Sequence, residues 1–101
     1  MRQIEKDIVG AFVRGEYARK DNTESVGGHL YLHGNEIAYR DDAGNIEISN
    51  AGWHTPTTRS RLNAVLQLAE KNARVFIKDW TMYIERDGNK EAMTSSWYAV
   101  K

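Results

Sequence analysis

The chain has no cysteine, a single proline, no long apolar run and no net charge. Each of these absences excludes something. Without cysteine there is no disulfide framework, no thiolate zinc site and no thiol nucleophile, which fits a reducing compartment. No apolar stretch approaches the ~20 residues that span a bilayer. The opening MRQIEKDIVG mixes charged with apolar positions, unlike a signal peptide. The expectation is a cytoplasmic protein with no membrane partner. Fourteen Lys and Arg balance fourteen Asp and Glu, so the chain as a whole is not a nonspecific polyanion binder, although a local basic patch stays open.

Catalytic signatures are missing too. There is no G-x-S-x-G elbow, no H-E-x-x-H and no Walker loop. Gly27-Gly28 lacks the Lys-Ser/Thr of a phosphate loop and precedes a strand pattern rather than a helix. Asp41-Asp42 lies in a turn, where carboxylates are normally solvated. The chain is therefore expected not to be an enzyme and to need no cofactor. The imidazoles are His29, His33 and His54. On a strand, His29 and His33 lie roughly 13 Å apart, too far to share one zinc ion, so no metal site is expected.

What is present is the composition of one small domain: 101 residues, 41% hydrophobic and 28% charged. Ile4, Ile8, Ala11 and Phe12 recur with helical spacing, Glu5, Lys6 and Asp7 suit the solvent face, and Gly15 is a stop. Residues 16–28 read as a polar loop or an irregular edge strand. Leu30 and Leu32, then Ile37 and Tyr39, then Ile46 and Ile48 alternate with polar neighbours across Gly34-Asn35 and Asp41–Asn45. That pattern is an antiparallel meander. Thr55-Pro56 then opens a second helix, Thr as N-cap and Pro at the first helical position. Leu62, Val65, Leu66 and Ala69 form its apolar stripe, to about residue 70. Strands follow at 74–78 and 80–85, a hairpin signal at Asp87-Gly88, and a last strand through Trp97, Tyr98 and Val100. The predicted fold is α+β: one antiparallel sheet of about five to six short strands with two helices packed on one face. The pairing order of the strands stays open, and exposed edges leave room for an edge-paired dimer.

The most patterned stretch is NAGWHTPTTRSRLNAVL, residues 50–66. One reading makes it a capped helix start with solvated arginines. The other makes it an anion or nucleic-acid contact at Thr57, Thr58, Arg59 and Arg61, because helix N-termini present unpaired N–H groups and Arg offers a fork for phosphate. Trp53 is either a staple packed onto the helix, the favoured reading, or an exposed stacking platform. Farther on, Phe76, Tyr83 and Tyr98 fall on the strand faces opposite Ile77, Trp80, Met82, Ile84 and Trp97. With Arg74 and Lys78 they are candidates for a partner surface, joined by Trp53.

The run from Asp21 to Leu66 carries Asn22-Thr23, LYLHGNEIA at 30–38 and the NAGWHTPTTRSRLNAVL block. It resembles a family of small uncharacterised tailed-bacteriophage proteins, with an amphipathic helix before the block and aromatic strands after it. The sequence departs from that pattern at Glu24-Ser25-Val26. The resemblance implies phage origin and action inside the infected bacterial cell, and implies no particular activity. With the missing catalytic motifs and the aromatic strands, it leads to a non-enzymatic accessory protein that binds a host macromolecule, a host protein first. The alternatives are a nucleic-acid-binding module built on Arg59, Arg61, Arg74 and Lys78, and a binder of a small phosphate-bearing ligand such as a nucleotide at the Thr57–Arg61 helix start.

Overall fold

The computed structural model describes residues 1–101. A π-helical turn, Glu5–Val9, runs into helix α1, Gly10–Arg14, which ends where Gly15 turns left-handed at φ 76°. Five strands follow: β1 Ala18–Lys20, β2 Thr23–Val26, β3 His29–Leu32, β4 Asn35–Arg40 and β5 Ile46–Ile48. Helix α2, Pro56–Leu68, comes next, then β6 Ala73–Lys78, β7 Thr81–Arg86, β8 Asn89–Ala92 and β9 Tyr98–Val100. The architecture is α+β and antiparallel throughout, as the alternation predicted. The strands divide, however, into two sheets: a six-stranded sheet in the order β1-β2-β3-β4-β5-β9, and a three-stranded sheet β6-β7-β8. The last strand leaves its sequence neighbours and pairs with β5, Ile48 against Tyr98 and Ile46 against Val100.

Helix α2 supplies the centre of a single core. Leu62, Val65 and Leu66 are buried together with Phe12 and Val9 from the N-terminal helix. Leu30, Ile37 and Ile48 of the large sheet and Val75, Met82 and Ile84 of the small one complete it. Thr55 caps α2 as its sequence suggested, accepting a hydrogen bond from the Thr58 backbone N–H, with Pro56 in the first turn. The small sheet is pinned to the rest by side chains. Asn63 of α2 both donates to the Val75 carbonyl and accepts from the Val75 N–H, taking the place of a neighbouring strand on that edge of β6. His54 accepts from the Met82 N–H.

Two predicted faces change in the folded chain. In β4 the expected inward pair was Ile37 and Tyr39. The register between β3 and β4 shifts at Leu30/Tyr31, a bulge that places two successive β4 residues on one side. Ile37 and Ala38 are therefore both buried, and Tyr39 turns outward. In the N-terminal helix, Glu5 was expected in solvent. The wide π-turn breaks the regular helical period, and Glu5 is buried beside Ile8 and Val9.

Buried with Glu5 is Arg61, whose Nη1 lies 2.8 Å from Oε2 of Glu5, both side chains almost wholly removed from solvent. The carboxylate also accepts from the Ser60 hydroxyl and the Arg2 backbone N–H. Arg61 Nε donates to the Thr23 hydroxyl at 3.1 Å. Arg61 Nη2 reaches Asn22 Oδ1 at 3.4 Å, so every charged atom of the pair faces a partner, the condition under which a buried ion pair is tolerated. Burial pushes the Glu5 pKa up. The hydrogen bonds from Ser60, Arg2 and Arg61, together with the Arg61 charge, outweigh it and hold the carboxyl below its usual value.

Two measurements check this arrangement. Chemical unfolding of Glu5→Ala or Arg61→Met should show a loss of about 3–5 kcal/mol, because each leaves one buried charge unpaired, whereas Glu5→Leu combined with Arg61→Met should lose far less. A folded-state pKa held below the unfolded value contributes stability that is present in full above the unfolded pKa, near 4.5. That contribution is lost as pH falls through the lower folded value. Wild-type stability should accordingly fall on acidification below that range, and Glu5→Gln should remove this part of the pH slope.

Candidate functional site

The residues proposed for an anion site at the start of α2 are not brought together. Arg61 is 3% exposed and belongs to the core ion pair. Its predicted role as an anion contact is therefore wrong: the guanidinium is already bound. Thr58 is buried, its N–H taken by Thr55 and its hydroxyl hydrogen-bonded to the Thr55 hydroxyl. Pro56 has no N–H to offer, and the Arg59 N–H donates to the Thr55 carbonyl. In the first turn only the Thr57 N–H stays free, too little for the convergent donors of an anion cradle. Arg59 faces a different depression, beside Met1, Arg2 and Glu5.

A groove does open at this helix start, but it is apolar. It measures about 300 Å³, floored by Leu32 and Ile37, with His33 of the β3–β4 turn and Asn35 at the start of β4 on one side and Trp53 and Thr57 on the other. Trp53 is 56% exposed, so it does not staple the helix to the core. The chain enters this corner through Ala51 and Gly52, both at positive φ, which leaves the indole on the groove wall.

The small sheet assembles most of the other predicted residues. Val75, Met82 and Ile84 point into the core, so Arg74, Phe76 and Lys78 of β6 and Thr81, Tyr83 and Glu85 of β7 share the outer face. Phe76 pairs with Tyr83, and their rings stack at 5.4 Å and 13°. The Arg74 guanidinium lies 4.7 Å from the Phe76 ring centre and donates to Glu85. That hydrogen bond, with the nearby Arg74 and Lys90 charges, holds the Glu85 carboxyl below its usual pKa. Lys90 of β8 stands opposite Glu85. The face therefore sets the cations Arg74, Lys78 and Lys90 against the one carboxylate of Glu85, around a fixed aromatic pair.

Tyr98 does not belong to this face. It is 8% exposed, its hydroxyl accepts from the Thr94 N–H, and Arg86 lies over its ring. The reason is topological: β9 joins β5, so its inward residues are Tyr98 and Val100, and Trp97 is left partly exposed.

The residue that sequence reasoning missed is Trp80. Alternation placed it inward with Met82 and Ile84, yet it is 93% exposed. Lys78 pairs with Thr81, so Asp79 and Trp80 form a two-residue hairpin loop with φ of 50° and 67°, the pattern of a type I′ turn. Three other hairpins of the chain place Gly28, Gly34 and Gly88 in this second position. Only here does a bulky side chain occupy the glycine slot. A signal was available: strands at 74–78 and 80–85 leave only Asp79 for the turn, one residue fewer than the shortest common hairpin loop needs.

The cap explains why the helix start is structural. Thr55→Ala should lower stability by about 1 kcal/mol in denaturant titration, and Arg59→Ala should change it by less than about 0.5 kcal/mol.

No helix of the chain is long and apolar enough to cross a membrane. No curated protein and no solved structure matches the chain. A family model does match: that of the Kyanoviridae Gp96 protein, over residues 1–100. With nearly the whole chain covered, the protein belongs to this tailed-cyanophage family.

Proposed function

We propose that this phage protein is a non-enzymatic binding protein that acts in the cytoplasm of the infected cell by docking on a host protein through the β6–β7 hairpin. The observation that carries this reading is Trp80. A tryptophan at positive φ is conformationally unfavourable, and a fully hydrated indole gains nothing from the hydrophobic effect. Backbone strain of this kind clusters at functional sites. Tryptophan is enriched among the residues that carry most of the energy of protein interfaces, together with Tyr and Arg. Arg74, Phe76, Lys78 and Tyr83 provide that surround on the adjoining face.

A nucleic-acid partner is the second reading, favoured by Arg74, Lys78 and Lys90 on one face with aromatics. The geometry supports it less well. Phe76 already has Tyr83 and Arg74 on its ring, and bases stack on free ring faces. Glu85 and Asp79 also reduce the local positive charge.

The test is capture from host lysate with wild type and Trp80→Gly, with and without nuclease. Trp80→Gly should keep or raise stability, by up to about 1 kcal/mol, because glycine relieves the left-handed turn. It should lose a stoichiometric host protein that wild type retains after nuclease treatment. Recovery abolished by nuclease, with affinity falling steeply in salt, would replace this reading by the nucleic-acid one.

A further inference from the structure

The outer face of the six-stranded sheet carries a second surface, separate from the hairpin. The β4 bulge brings it into being, because it keeps Glu36 and Tyr39 on one side while Ile37 and Ala38 both go inward. Cross-strand rows then read Arg19, Glu24, Tyr31, Glu36 and, beside it, Val26, His29, Tyr39, Glu47. All of these side chains are half-buried or exposed.

Three rings are contiguous on this face. His29 lies 5.3 Å from Tyr39 and 6.3 Å from Tyr31, centre to centre. Carboxylates flank them: Tyr31 stands between Glu24 and Glu36, and Tyr39 is next to Glu47. His29 engages Glu36. Glu24 and Glu47 take part in none of the chain's ion pairs. The only permanently cationic side chain in the two rows is Arg19, so the face has surplus negative charge surrounding electron-rich rings.

We infer that this face docks an extended protein segment bearing arginines at alternate positions. A guanidinium is attracted to the face of a tyrosine ring and forms charge-assisted bonds to an adjacent carboxylate, and here each tyrosine has a carboxylate in the neighbouring register position. Alternate residues of an extended chain repeat at about 6.8 Å, the same repeat that separates His29 from Tyr31 along β3, so successive arginines reach successive rows. Glu24, Glu36 and Glu47 repel phosphate, which sets this surface apart from a nucleic-acid platform.

The experiment is an NMR and calorimetric titration of the full chain with a short blocked peptide of alternating arginine and serine. Amide shifts should centre on His29, Tyr31, Tyr39 and Glu47. Affinity should weaken about tenfold or more in Glu24→Gln/Glu47→Gln, which removes two charge-assisted contacts, and by several-fold in Tyr39→Leu. All the replaced side chains are at the surface, and circular dichroism should show both variants folded. Absence of binding, or affinity unchanged in the carboxamide variant, would overturn the inference. So would shifts at these residues that grow with protein concentration without peptide, which would identify a second copy as the occupant.

Discussion

The buried pair of Glu5 and Arg61 fixes how the parts of this protein meet. It joins the N-terminal helix, α2 and β2, because Arg61 reaches Glu5 and Thr23 in one span. Such a pair gives little net stability, since desolvation offsets most of the Coulomb attraction. What it imposes is position. A carboxylate with three donors and a guanidinium with a hydroxyl acceptor are satisfied in one arrangement only, and any sliding of α2 over the sheet would strand a charge. The wide π-turn follows from the same constraint, since it is the device that brings Glu5 to the inner side of its helix.

With α2 held there, the remaining contacts follow from it. Its stripe of Leu62, Val65 and Leu66 fills the core that both sheets share, and its flanking Asn63 holds the edge of β6. His54, just before the cap, holds β7 at Met82. The hairpin is thus held at Val75, in the middle of β6, by α2, and at Met82, two residues beyond Trp80, by the segment before the helix. The loop itself, Asp79 and Trp80, stands exposed beyond those ties. Much of the patterned stretch from Asn50 to Leu66 is accounted for by these duties: cap, ion pair, edge clamp and core.

Local patterns in the sequence made most of the elements legible. The Thr55-Pro56 cap, the Gly15 stop, the Asp87-Gly88 hairpin and the alternation of the strands are signals written within a few residues. The misreadings are non-local or depend on one inserted residue. A π-turn shifted Glu5, a bulge shifted Tyr39, and a two-residue loop placed Trp80 at a tip. None of these changes composition, and each inverts the facing of its neighbours. Arg61 was misplaced for a different reason: an arginine on a helix reads as solvated until its partner, far away in sequence, is known. The division into two sheets was equally hidden, because it depends on whether β9 pairs with β8 or with β5. Of the expected partner surface, Arg74, Phe76, Lys78 and Tyr83 were legible because strand alternation alone groups them.

The edges of the sheets bear on how such a protein can engage a partner. Strand addition needs a free row of backbone groups. On β9 the Ala99 carbonyl accepts from Arg86, just beyond it the Lys101 carbonyl accepts from the Asn72 N–H, and on β6 the Val75 groups are held by Asn63. The open edges are β1 and β8, three and four residues long, carrying Arg19, Lys20, Lys90 and Glu91. Short, charged edges of this kind disfavour pairing between chains. Tyr31, Tyr39, Phe76 and Tyr83, by contrast, lie on the outer faces of the two sheets and Trp80 at one hairpin tip, the two faces with opposite charge. Recognition by side chains on those faces, rather than by backbone pairing along an edge, is therefore the mode this architecture provides.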